Sequence, residues 1–266
     1  FTLDAEVGPV LQAPRRFDAL GVPGQARGLE VRVRPRGGLW SRWVPLANAH
    51  GDPIWAGGAD ELQLRGPRRR VRLHFVAVGA GAKARAARTA RASARASQAG
   101  PPTIVPRSGW GGDQVKPRAA PSYGEVQLGF VHHTVTANDY TPEEAPAIVL
   151  GIAKYHRDTN GWSDIGYNYL VDRYGQIYEG RAGGIDQAVI GAQAQGYNGK
   201  STGIAVIGTH GAEAATPAAL EAVSRLLAWK LSLHGVPVGG QVVVESAGGE
   251  QNRSRAGTQV TFERIS

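Results

Sequence analysis

Apolar and polar positions alternate along the first third of the chain. Leu29, Val31 and Val33 interleave with Glu30, Arg32 and Arg34, the period-two pattern of a strand with one buried face. Arg36-Gly37-Gly38 then marks a turn. Leu62-Gln63-Leu64-Arg65 and Val71 to Val76 repeat the alternation. Short strands between Gly and Pro turns predict an all-β, sandwich-like domain over residues 1–78. Across 79–103 the pattern stops. Ala, Arg, Gly and Ser without large apolar side chains cannot bury enough surface to offset ordering entropy, so a flexible linker is expected, with transient helix permitted.

From Ile104 the periods of two and 3.6 take turns. Gln127–Thr134 reads as a strand, with Phe130, His132 and Thr134 on one face and Val131 and His133 on the other. Thr141-Pro142-Glu143-Glu144 reads as a helix start, with Thr as N-cap and Pro at the first position. Ile148, Ile152 and Tyr155 give that helix an apolar face up to Asn160-Gly161. Tyr167–Val171, the turn Asp172–Gly175 and Gln176–Glu179 predict a hairpin, and Gly203–Gly208 suits a sheet centre. Thr216-Pro217 opens a second helix to about Leu233, with Leu220, Val223, Leu227 and Leu231 on one side. Val242–Val244 and Val260–Phe262 read as short terminal strands. The alternation predicts a C-terminal α/β domain, residues 104–266, with a mixed β-sheet covered by helices.

Composition narrows the class. The 266 residues are 42% apolar, enough for two packed cores. No cysteine is present, which removes disulfides and Cys-based metal sites. No methionine is present either, so the chain is expected to be processed or incomplete. No apolar run has the length of a transmembrane segment, and no leader is visible. Of the net charge of +8, five units sit on Lys83, Arg85, Arg88, Arg91 and Arg95, in a stretch without acids. Charge concentrated in a linker rather than on a folded face argues against a nucleic-acid partner. Attraction to anionic wall polymers or membranes and a merely solvated linker both remain open.

Several side chains are candidates for chemistry. His132 ends a strand where it can project into a cleft, and a neutral imidazole suits a metal. His133 points the opposite way, toward a supporting or structural role. Tyr167 follows a glycine at a strand start, where a phenol reaches a groove or fills a core. His156 near a helix end answers the helix dipole. Asp164 reads as a brace for a loop or helix end rather than a general base. Arg181 either meets a substrate carboxylate or pairs with Glu179 and its neighbours. Trp40, Trp43 and Trp55 offer sugar stacking or packing, with packing favoured, and Trp110 reads as core.

These residues fall in motifs: Arg107-Ser108-Gly109-Trp110-Gly111, Phe130-Val131-His132-His133-Thr134, Gly161-Trp162-Ser163-Asp164-Ile165-Gly166-Tyr167, Tyr178-Glu179-Gly180-Arg181 and Gly191-Ala192-Gln193-Ala194-Gln195-Gly196-Tyr197-Asn198. In order and spacing they resemble the peptidoglycan recognition proteins, a family that includes zinc amidases cutting N-acetylmuramoyl-L-alanine bonds. The β-rich segment with its W-S-R-W run is similar to those of actinobacterial members. The resemblance implies a secreted or wall-associated bacterial protein that binds peptidoglycan or muropeptides. It makes His132 a Zn²⁺ ligand and Tyr167 the catalytic donor that orients water or stabilises the oxyanion. It also sets His133, Thr134, His156, Arg181, Gln193 and Asn198 along the substrate groove. Gln193 stands where the family has His, which keeps hydrogen bonding but not a chargeable ring. The family's two further zinc ligands have no counterpart before Ser266, and His210 and His234 do not match them. A chain truncated before those ligands and without activity on its own is therefore expected. The rival reading is a non-catalytic peptidoglycan-binding module. Neither motif nor pattern addresses oligomeric state.

Overall fold

The computed structural model describes residues 1–23, 26–46, 51–79 and 101–266. Most of the expected linker, residues 80–100, lies outside the described residues. The N-terminal part is one six-stranded antiparallel sheet: β1 (Thr2–Glu6), β2 (Val10–Gly21), β3 (Glu30–Arg34), β4 (Val44–Pro45), β5 (Ile54–Arg65) and β6 (Arg70–Val76), in the order β1-β6-β2-β5-β3-β4. The expected pair of facing sheets is thus replaced by a single sheet. The reason lies in β2 and β5, each 12 residues long, whose mutual register slips between Gln12 and Ala19. Gly57 and Gly58 on β5 take positive φ there, the backbone of a bulge that bends a strand. The alternation read from the sequence is kept: Val31 and Val33 are buried with Phe17, Leu20, Leu62, Leu64 and Leu73 in one cluster. Trp40 and Trp43 lie outside it. Arg32 and Arg34 stack on Trp40 at 4.6 and 4.3 Å, and Arg32 and Arg65 on Trp43 at 4.8 and 4.5 Å. Guanidinium groups therefore cover the rings that sugar stacking would use.

The C-terminal part is a mixed five-stranded sheet in the order β7-β10-β9-β11-β8, formed by β7 (Ile104–Val105), β8 (Leu128–His133), β9 (Tyr169–Val171), β10 (Ile177–Glu179) and β11 (Ser201–Val206). A one-turn helix α1 (Arg107–Trp110) follows β7. Every residue of β11 is buried between parallel neighbours β8 and β9, as the apolar run predicts. Side-chain alternation then assigns the two faces. Leu170, Ala205 and Ile207 meet helix α2 (Ala145–Asp158), whereas Tyr169, Val171, Ile204 and Val206 meet helix α3 (Pro217–Leu233). The terminal strands β12 (Gln241–Glu245) and β13 (Gln259–Glu263) pair with each other as a separate hairpin. The chain then runs on along the edge of β8, where Ser266 N–H donates to Gly129 O and Val131 N–H donates to Ser266 O.

Helix α3 begins as its sequence dictates: Thr216 Oγ1 accepts from Ala219 N–H, and Pro217 takes the first position. Its buried stripe is Ala219, Ala222, Val223, Leu226, Leu227, Lys230 and Leu231, while Leu220 is exposed, one position off the stripe it was assigned to. Helix α2 begins at Ala145 rather than at Thr141. Pro146, which lacks an N–H, sits in the first turn of the helix, and Thr141–Glu144 form a lead-in turn. In that turn Glu144 N–H donates to Thr141 O, and the Glu144 carboxylate accepts from Thr141 N–H.

Helix α2 is buried all round from Ala145 to Ala153 because both sheets cover it. Ala19, Trp55, Val76 and Val78 of the N-terminal sheet share one apolar cluster with Ile148, Ile152 and Tyr155. Gly21 makes the closest approach: a Cβ there would lie 2.2 Å from the Tyr155 ring. Gly21→Ala is therefore expected to destabilise the protein by about 1–3 kcal/mol, since neither backbone nor ring can yield cheaply. Urea unfolding of both proteins measures it.

Lys230 is buried on α3, where its Nζ donates to Ile185 O and Gln187 O. Burial pulls its pKa from 10.5 down to about 8. Between those values the unfolded chain holds more protons than the folded one, so this group makes stability rise as pH increases from about 8 to 10.5. Denaturant unfolding across that window is expected to show the rise in the parent and a flatter profile in Lys230→Met.

Candidate functional site

The site forms at the end of β8, where the sheet, α2 and the loop before β9 meet. His132 and Phe130 lie on one face of β8, as the alternation predicts, their rings 6.3 Å apart. The His132 ring is 5.7 Å from that of Tyr167, and its Nε2 is buried with no hydrogen-bond partner among the described residues. Burial lowers its pKa, against a smaller opposing effect of the Asp52 charge, so the ring is neutral near pH 7.

His156, on the last turn of α2, is buried and packs against Trp162, ring centres 4.5 Å apart, and Tyr167, 5.8 Å. Its Nδ1 accepts from Gly166 N–H at 3.1 Å, which leaves Nε2 as the nitrogen that carries a proton. That nitrogen lies 2.8 Å from Asp52 Oδ1. The two buried groups are thus in direct polar contact. Tyr167 donates its hydroxyl proton to Asp52 Oδ2 at 2.8 Å. Burial first, then the Asp52 charge and this hydrogen bond, push the phenol well above its usual range, so it serves only as a neutral donor.

From Tyr167 an open cleft of about 320 Å³ runs past Trp162, Ala192, Gln193, Gln195 and Asn198 to Glu250 and Gln251. Gln193 lies where only glycine neighbours leave room: a Cβ on Gly203 would meet its side chain at 2.3 Å and one on Gly191 at 1.9 Å. Its Nε2 donates to Ser201 Oγ, and its Oε1 is buried without a partner. Asn198 Oδ1 accepts from Ala194 N–H and shapes the loop that forms the cleft wall.

Three residues assigned to the groove lie elsewhere. His133 turns to the opposite face, where its Nδ1 accepts from His210 N–H at 2.7 Å. Thr134 is fully buried; its hydroxyl shares a hydrogen bond with Thr136 Oγ1 and accepts from Gly208 N–H. Between these threonines Val135 adopts φ +51°, an unfavourable backbone for a β-branched residue, so the hydroxyls serve to hold a strained turn. Arg181 spends its guanidinium on Ile165 O, Ile190 O, Ser163 Oγ and Asp164 O and makes no pair with Glu179, since its position between two loops surrounds it with carbonyls. Asp164 is the loop brace expected: it accepts from Ile165 and Ala182 N–H and pairs with Arg107 at 3.1 Å. Trp110 is core, its indole N–H donating to Glu179 O.

Asp52 was not a candidate from sequence. Gly51-Asp52-Pro53 reads as one more turn, and its partners are more than 100 positions away. No local signal identifies it.

A half-buried histidine whose Nε2 is buried and unpartnered, a neutral tyrosine donor beside it and a polar cleft leading away define a site for polar ligands on an α/β scaffold. The chain belongs to the N-acetylmuramoyl-L-alanine amidase family, whose model matches residues 122–255, half of the sequence. It is 37% identical over 128 residues to the peptidoglycan-recognition protein SC2 of Drosophila simulans, an alignment covering 47% of this chain and 65% of that protein. It is 37% identical over 130 residues to the human N-acetylmuramoyl-L-alanine amidase, covering 47% of this chain and 21% of that protein. The chain thus spans less than two thirds of the length of these curated relatives. Among solved structures it is similar to bumblebee PGRP-SA, at 36% identity and a TM-score of 0.45, over 51% of this chain and 78% of that one. No helix among the described residues is long and apolar enough to cross a membrane.

Arg181→Ala is expected to cost about 2–3 kcal/mol of stability, because it removes the guanidinium that donates to the Ile165 and Ile190 carbonyls. Thermal and urea unfolding read that loss. A cost below about 0.5 kcal/mol would contradict the bracing role.

Proposed function

We propose that the cleft binds a muropeptide of peptidoglycan and that the full-length protein hydrolyses the amide between N-acetylmuramic acid and L-alanine. The observation that carries this reading is the buried, unpartnered Nε2 of His132, whose ring lies 5.7 Å from that of Tyr167 on the cleft wall. Membership of the amidase family and kinship with both a recognition protein and an amidase support it.

His132 suits Zn²⁺ as one ligand: it is neutral, and its free nitrogen is buried yet unsatisfied. No group of three His, Cys, Asp or Glu arranged around a metal occurs among the described residues, so the remaining donors are not assigned. A zinc ion held in part by His132 would supply a Lewis acid and a water of lowered pKa. Tyr167 donates to the oxygen on which charge develops as the amide is attacked, a contact commonly worth about 10²-fold or more in rate. Trp162, Gln193 and Asn198 hold the ligand along the cleft. Such a substrate places the protein outside the cytoplasm or at the wall.

A recognition module without turnover is the second reading. The absence of a three-donor group among the described residues favours it.

Two assays on the full-length protein separate them: co-sedimentation with insoluble peptidoglycan, and mass-spectrometric detection of released peptide stems. The amidase reading expects both signals, loss of release in His132→Ala, and about 10²-fold slower release in Tyr167→Phe with binding kept. Binding without release in the parent replaces it with the recognition module. Absence of binding overturns both.

A further inference from the structure

The carboxylate of Asp52 enters the site from the wrong direction for a catalytic group. It belongs to the N-terminal part, in the segment that leads into β5 (Ile54–Arg65), well before the family match at residues 122–255. Asp52 is 7% exposed and reaches both Tyr167, which lines the cleft, and His156, whose ring packs on that of Tyr167. The adjoining Pro53, Ile54 and Trp55 are buried as well, and Trp55 packs into the cluster around α2. The carboxylate is thus carried by the docking of one sheet on the helix of the other.

A brace for catalysis would look different. With its proton given to Asp52, the Tyr167 hydroxyl cannot donate to a ligand oxygen. A carboxylate also places negative charge where amide hydrolysis develops negative charge, which raises a barrier instead of lowering it. Both carboxylate oxygens are spent inside the protein, Oδ2 on the Tyr167 hydroxyl and Oδ1 against His156 Nε2 at 2.8 Å. His132 Nε2, by contrast, is buried without a hydrogen-bond partner.

We propose that Asp52 is an internal ligand by which the N-terminal sheet holds the site closed, occupying the positions of a bound muropeptide's polar groups until the ligand displaces it. The identity of that ligand rests on the reading of the cleft given above; the closure does not.

Asp52→Ala and Asp52→Asn in the full-length protein test it, with near-ultraviolet circular dichroism as the check on folding. The first readout needs no ligand: carbethoxylation of His156 by diethylpyrocarbonate, followed by peptide mass spectrometry. Closure predicts at least fivefold faster modification in Asp52→Ala. The second is calorimetric affinity for a soluble disaccharide-tetrapeptide. Closure predicts at least tenfold tighter binding in Asp52→Ala and an intermediate gain in Asp52→Asn, which keeps the shape and removes the charge. If Asp52→Ala fails to fold, the Asn variant decides, and tighter binding than the parent is the supporting result. Unchanged His156 reactivity in folded Asp52→Ala, or weaker muropeptide binding in Asp52→Asn, overturns closure and makes Asp52 a brace. Faster His156 modification with no muropeptide binding in any variant leaves closure standing and removes the muropeptide reading.

Discussion

The structure depends on one helix having no solvent face. Ala145 to Ala153 are buried because the C-terminal sheet covers one side of α2 and the N-terminal sheet the other. A helix this apolar must be covered, and the N-terminal sheet supplies Ala19, Trp55, Val76 and Val78 for the purpose. The same docking sets the chemistry. His156 ends the helix, Gly166 holds the ring tautomer, and the strand that packs Trp55 onto the helix also brings Asp52 to Tyr167. Packing and site electrostatics are thus one arrangement, and loosening the first changes the second.

Much of the framework was legible in the sequence because it follows from local rules. The alternation at Leu29–Val33 gives a half-buried strand, the run at 203–208 a central one, and Thr216-Pro217 a capped helix; all three depend on neighbours in sequence. The placement of His132 and His133 on opposite faces follows from the period of two. Where the reading departs from the structure, the cause is non-local. Leu220 fits a helical apolar stripe as well as Leu226 does, and only the packed sheet selects between them. Arg181 has the look of a ligand-binding arginine until the fold surrounds it with carbonyls. The single N-terminal sheet arises from bulges in two long strands that composition does not register.

Asp52 shows the limit most clearly. Nothing in Gly51-Asp52-Pro53 distinguishes it from the other turns of a β-rich segment. Its role appears only when residues 52, 156 and 167 meet in space. The family motifs gave the other members of the site, and they lie wholly in the C-terminal part. A group contributed by a different part of the chain is invisible to them.

The central claim is that ligand occupies the cleft running from Tyr167 past Trp162, Gln193 and Asn198. Backbone amide chemical shifts recorded while a soluble muropeptide is titrated to saturation address it most directly. The account predicts saturable shifts concentrated at Trp162, Tyr167, Gln193 and Asn198, with Asp52 moving in step with them. Shifts confined to the Trp40–Trp43 face, or none at saturating ligand, would contradict it.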